Sequence, residues 1–150
     1  MCEIIYSEEM TANEYNFLRR SAGFCELTIG QAERGLAHTT FLTVARDGEN
    51  IVGMGRVMFD YGYTAYIGDV IVYPTYQGQG IGSNIVNSLL DKTLQAACEG
   101  DRIMFILGAA QGKEMFYEKF GFNKRPNEQS GYGMSMYKIK NTMITEDGLF

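Results

Sequence analysis

Proline, cysteine, histidine and tryptophan are all scarce in this sequence. Two prolines in 150 residues, Pro74 and Pro126, leave no stretch of linker composition. Three cysteines, Cys2, Cys25 and Cys98, are odd in number, scattered, and never form a CxxC pair. With His38 as the one histidine, the pattern indicates neither a disulfide framework nor a zinc site, and no metal is expected. Long apolar runs are also missing, and nothing nears the roughly 18 residues of a membrane helix. The opening residues, MCEIIYSEEM, lack the basic-then-apolar order of a secretory leader, so a cytoplasmic protein is expected. Positive charge is in deficit. Thirteen Lys and Arg stand against 18 Asp and Glu, a net charge of -5, which argues against nucleic acid or an anionic membrane as a general partner.

What is present suits a globular chain. The hydrophobic fraction is 45% and the charged fraction 21%. A chain of this length buries roughly two-thirds of its unfolded surface. One domain over residues 1–150 is expected, with a core of about residues 3–140 and a tail at 141–150.

The elements read as follows. Residues 3–6 suggest a short strand. Thr11 and Glu14 form a capping-box pair that opens a helix to about Arg20. Thr28 and Gln31 repeat the device for a second helix. Residues 41–45 read as a strand, Asp47-Gly48 as a hairpin turn, and 51–59 as the return strand. A third strand covers 63–73. From 80 to 97 the apolar residues 81, 85, 86, 89, 90, 94 and 97 keep helical spacing. A strand at 103–107, a short helix at 113–119 and a last strand at 134–139 follow. Antiparallel neighbours followed by a strand–helix–strand crossover imply an α+β fold, a mixed and mostly antiparallel sheet flanked by helices.

The most informative stretch runs from Val70 to Ser83, where a strand enters the turn Gln77-Gly78-Gln79-Gly80 and the turn opens the long helix. Glycines let backbone approach a ligand closely, and a helix start adds N–H groups and a positive dipole end. Together these suit a phosphate. A P-loop would need a lysine after the glycines, which is absent. A dinucleotide loop needs GxGxxG, whereas the spacing here is Gly78-x-Gly80-x-Gly82. Asp101, about twenty residues on, precedes its strand rather than ending one. The bland alternative is that the glycines serve only close packing of helix on strand.

Gln77-x-x-Gly80-x-Gly82, preceded by Val72-x-Pro74, resembles the pyrophosphate loop of the GNAT superfamily of acyl-CoA-dependent N-acetyltransferases. Phe116-Tyr117-Glu118-Lys119-Phe120-Gly121-Phe122 resembles a second block of that family, in the right order and at a fitting distance. The element order matches across about residues 3–140. The resemblance implies acetyl-CoA as co-substrate. It assigns the pyrophosphate to backbone N–H groups of Gln77, Gly78, Gln79, Gly80, Ile81, Gly82 and Ser83. It assigns the pantetheine arm to main-chain groups of Val70 and Val72, with the Val72 N–H as oxyanion donor. Where many relatives carry a pantetheine-contacting asparagine, this chain has Ala110, beside Gln111.

Amide formation from a thioester needs a neutral amine, a stabilised oxyanion and a proton for the departing thiolate. Alkylammonium groups have pKa values of about 10.4, so a base assists at neutral pH; thiols lie at about 8.5, so a tyrosine at about 10 can donate. The resemblance places Tyr117 as general acid. Asp69 is a candidate base acting through water, a counter-ion for a cationic amine, or an orienting partner for nearby N–H groups. Phe24, Glu26 and Tyr66 are candidates for the acceptor pocket. Cys25 lacks a paired histidine and reads as a buried thiol rather than a nucleophile. His38 reads as structural. The loop also resembles small-molecule, arylalkylamine-type members more than ribosomal-protein or histone types. A small primary amine is therefore the expected acceptor. A protein lysine or N-terminal amine, and a silent CoA-binding module, are the alternatives. A homodimer is compatible with all three.

Overall fold

The computed structural model describes residues 3–140. They fall into two compact units, one reaching Leu107 and one starting at Gly108. The first holds β1 (Ile4–Ser7), α1 (Ala12–Ser21), α2 (Ile29–Ala37), β2 (Phe41–Asp47), β3 (Asn50–Phe59), β4 (Thr64–Val72), α3 (Ile81–Ala96) and β5 (Met104–Ile106). The second holds α4 (Glu114–Glu118).

Local chemistry starts each helix of the first unit. At α1 the capping box closes: the Glu14 N–H donates to Thr11 Oγ1 at 3.1 Å, and the Thr11 N–H donates to Glu14 Oε1 at 2.9 Å. Arg46 adds two hydrogen bonds to the same carboxylate, tying the helix start to β2. Thr28 caps α2 by accepting from the Gln31 N–H at 3.2 Å.

The five strands lie in the order β1-β2-β3-β4-β5. The first four are antiparallel, and β4 pairs with β5 in parallel across the α3 crossover. The β2–β3 hairpin turns on Gly48 and Glu49, one residue later than the sequence suggests. Gly48, with φ at +59°, supplies the positive φ that such a turn requires.

Helices pack on both faces of the sheet. Tyr15 and Leu18 of α1 and Ala32 of α2 pack with Val44, Met54 and Ile71 in one cluster. On the other face α3 buries Ile81, Ile85, Val86 and Leu89. There Gly55 matters by its lack of a side chain: a Cβ would stand 2.6 Å from Ile85 Cγ2 and 3.0 Å from Leu89 Cδ1. The helix can approach β3 only because that volume is empty.

Two expectations are corrected. No strand follows β5 among the described residues: Met134 and Ile139 lie in irregular chain and are 95% and 94% exposed. Their residue types suit a strand, but a strand also needs a partner ladder, and none is formed there among the described residues. Cys25 is exposed rather than buried, following the α1 C-terminus, where Arg19 Nη2 lies 3.4 Å from its sulfur. The tail from residue 141 is outside the described residues.

Candidate active site

The site is built around β4, which carries a bulge. Its partners on β3 step from Arg56↔Gly68 to Met54↔Ile71, so Asp69 and Val70 together stand opposite Gly55. Asp69 takes a left-handed conformation with φ at +51°. That region is uncommon for a residue with a side chain, and aspartate is among those that tolerate it best.

Packing and charge hold the bulge. Asp69 Oδ1 accepts from Arg19 Nη1 of α1 at 3.1 Å. Its Oδ2 accepts from Arg56 Nε of β3 at 2.8 Å and from the Tyr15 hydroxyl of α1. Burial, reinforced by the hydrogen bond to Asp69, pushes the Tyr15 phenol up to about 12, so it stays a neutral donor. Arg56 reaches further, to Thr39 Oγ1 at 3.1 Å beyond the end of α2. Three of the roughly four acceptor positions of the Asp69 carboxylate are thus occupied by protein donors.

Asn at position 69 tolerates the same backbone but leaves two guanidiniums facing an amide. Fully buried pairs cost about 3–5 kcal/mol when one partner is removed; this one is slightly exposed, so roughly 2–3 kcal/mol is expected for Asp69→Asn. For a chain of this size that lowers Tm by about 4–12 °C. Thermal unfolding of the variant measures it, and an unchanged Tm would mean that the cluster does not hold the bulge.

Beyond the bulge β4 has one strand neighbour. It pairs with β5 only from Thr64 to Tyr66, so the edge at Ile67–Val72 has no strand beside it among the described residues. The Tyr73 N–H donates to Val52 O of β3 at 2.8 Å. One residue earlier, Val72 therefore turns its main-chain groups to the open edge. The Val72 carbonyl accepts there from Gln77 Nε2 at 3.0 Å. Val70 lies in the bulge, its side chain directed at Gly55 on the α3 side.

The glycine turn follows. Gly78 and Gly80 have φ of +80° and +85°, and a Cβ on either would meet nothing within 4 Å. Gly80 caps α3 with no side-chain hydrogen bond, and the helical ladder starts with the Asn84 N–H donating to Gly80 O at 3.0 Å. The turn before it presents main-chain N–H groups at the positive end of a 16-residue helix. Ile81 is buried against β3, which fixes the helix start relative to the strand, while Gln79 is exposed and Gly82 and Ser83 are partly so. The Tyr76 hydroxyl donates to Asp47, anchoring the approach to the turn.

The remaining expected residues divide between the units. In the first, Phe24 is exposed with its ring 5.6 Å from the Arg19 guanidinium carbon. Glu26 accepts from Arg20 Nη1 at 2.9 Å, with both side chains more than half exposed. Tyr66 is 43% exposed on β4. In the second, Tyr117 of α4 packs edge-on to Phe116 and Phe122. Burial raises its phenol above the ordinary value of 10. His38 is exposed beyond α2, its Nδ1 2.8 Å from Arg34 O. The sequence reading missed Arg19, Arg56 and Tyr15, whose link to Asp69 spans separations of 13 to 54 residues.

The site thus joins a bulged strand with one open edge to a glycine turn and a helix N-terminus. Residues 37–124 match the acetyltransferase (GNAT) domain family, and the chain belongs to that family. The crystal structure of a probable acetyltransferase from meticillin-resistant Staphylococcus aureus is similar, with a TM-score of 0.81 and 31% identity, covering 91% of this chain and all of that one. A histone acetyltransferase of Glycine max is 32% identical over 83 residues, 55% of this chain and 34% of that protein. Thialysine N-epsilon-acetyltransferase of Bos taurus is 37% identical over 60 residues, 37% of this chain and 35% of that protein. The matched stretch spans less than half the length of such curated relatives. No helix among the described residues is long and apolar enough to cross a membrane.

Proposed function

We propose that this chain moves an acetyl group from acetyl-CoA to the primary amine of a small molecule, by direct attack within a ternary complex. The observation that carries the reading is the left-handed glycine pair, Gly78 and Gly80, set between the open edge of β4 and the start of α3. A Cβ would project into open space at both positions, which suits a cradle better than the packing explanation. Backbone N–H groups of residues 78–83 would hold the pyrophosphate, the Gln77 N–H donating instead to Pro74 O at 3.3 Å, and main-chain groups of Val70 and Val72 the pantetheine arm. Bound acetyl-CoA supplies the activated acetyl group as a thioester. No metal enters this reading.

Tyr117 serves as the acid, keeping its proton through neutral pH. The Val72 N–H donates to the developing oxyanion. Of the three roles open to Asp69 from sequence, base, counter-ion or orienting partner, a positioning role is favoured in this reading, because its oxygens are engaged by Arg19, Arg56 and Tyr15. It sets the bulge, and the bulge sets the edge that Val72 presents.

The histone acetyltransferase relative supports a second reading, in which the acceptor is a protein lysine. A panel of small amines and lysine peptides with acetyl-CoA, followed by free-thiol release, separates the two. Small amines are expected to react faster. Release with peptides alone would select the second reading, and no release with either, alongside intact CoA binding, would select a silent binding module.

A further inference from the structure

The cluster at the bulge carries more positive charge than it needs. Asp69 contributes one negative charge between two guanidiniums, and Tyr15 remains a neutral phenol. The cluster is left with a net charge of +1 in a chain whose own net charge is -5. The neighbouring acid does not cancel it, because Glu26 is paired with Arg20.

A donor is also left over. Arg56 uses Nε for Asp69 and Nη1 for Thr39 and Gly35, while its Nη2 bonds no described residue. No buried side-chain nitrogen or oxygen is unpartnered among the described residues, so that Nη2 is reached by solvent.

Beside it the sheet surface is open. Arg56 pairs directly with Gly68, and Met58 with Tyr66. Paired residues on antiparallel strands share a face, as do residues two apart, so these four positions form one patch. The Tyr66 ring lies over Gly68, its Cε1 3.3 Å and the Met58 Cε 3.8 Å from where a Cβ would stand. Phe24, also exposed, flanks Arg19.

We propose that the acceptor amine carries a carboxylate, which docks on Arg56 Nη2, while the exposed rings of Tyr66 and Phe24 lie against its carbon body. This names the substrate class for the acetyltransferase reading and rests on it. A single negative charge matches the surplus of +1, and a guanidinium is suited to a carboxylate oxygen. Polyamines and lysine-rich peptides would meet like charge at the same place.

The test uses matched amines, lysine against 1,5-diaminopentane and 2-aminoethyl phosphate against ethanolamine, on the intact protein. Binding is read by ligand-detected NMR and acetylation by thiol release. Wild type is expected to favour lysine over 1,5-diaminopentane by roughly tenfold in both readouts. Arg56→Lys keeps the charge opposite Asp69 but has one head for two carboxylates. It should shrink the lysine-to-diamine preference about fivefold, through KM rather than kcat; taking that ratio within each variant cancels any loss that the altered bulge imposes on both amines alike. Equal binding of lysine and the diamine by wild type would overturn the proposal, as would an unchanged preference in a folded Arg56→Lys. A preference seen only for the phosphate, or a basic peptide outrunning free lysine, would also overturn it. Absence of acetylation with every amine would sink the acetyltransferase reading, while the NMR comparison would still decide this one.

Discussion

Gly80→Asp is expected to weaken CoA binding at least roughly 100-fold while the fold survives. Three effects compete at this position. A side chain at φ +85° costs about 1–2 kcal/mol, less for aspartate than for most residues. A carboxylate at a helix start returns about 0.3–1 kcal/mol through the dipole, so folding changes little. Ligand binding has no such offset, because the new charge occupies the place assigned to a pyrophosphate. Affinity measured by calorimetry should fall at least roughly 100-fold, about 2.7 kcal/mol. Gly80→Asn has the same shape and backbone tolerance without the charge, and should bind roughly tenfold better than the aspartate variant. Binding in a chelator should match binding without one. Unaltered CoA affinity in a folded Gly80→Asp would remove the loop from the site.

Tyr117→Phe is expected to lower kcat by at least roughly tenfold. A positioned general acid contributes about 10²–10⁴-fold, and water replaces part of it. The ring contacts with Phe116 and Phe122 are kept, so loss of activity would not be loss of packing. An alanine there would confuse the two. Because acetyl-CoA is assigned mainly to backbone groups, its KM should stay within about threefold, a few tenths of a kcal/mol. The pH dependence follows from burial. A phenol raised above 10 stays protonated, and active as a donor, over a wider range than a free tyrosine. Activity owed to Tyr117 is then complete at neutral pH and lost only as pH rises through that raised value. The phenylalanine variant should lack this alkaline limb. A wild-type rate with the limb unmoved would make Tyr117 an aromatic wedge.

Much of this protein was legible without coordinates because the deciding interactions are short-range. Thr11 and Glu14 are three residues apart and close their capping box as the spacing requires. Gly48 turns its hairpin and Gly80 starts its helix because few other residues accept those backbone angles. The apolar spacing from Ile81 to Leu89 needs only the geometry of one helix to be read. The two motif blocks pointed to the family for the same reason, since each is a local run of residues. Tertiary structure decided what depends on residues far apart. Asp69 looks like a free carboxylate in its own segment, and only the folding of α1 and β3 onto β4 surrounds it with Tyr15, Arg19 and Arg56. Its left-handed backbone follows from the extra residue that β4 carries opposite Gly55, a matter of register between strands rather than of either strand alone. The same holds for residues 134–139, where the residue types permit a strand but pairing must be supplied by another segment, and none among the described residues supplies it. Side-chain pattern is a property of the sequence; a hydrogen-bonding partner is a property of the fold.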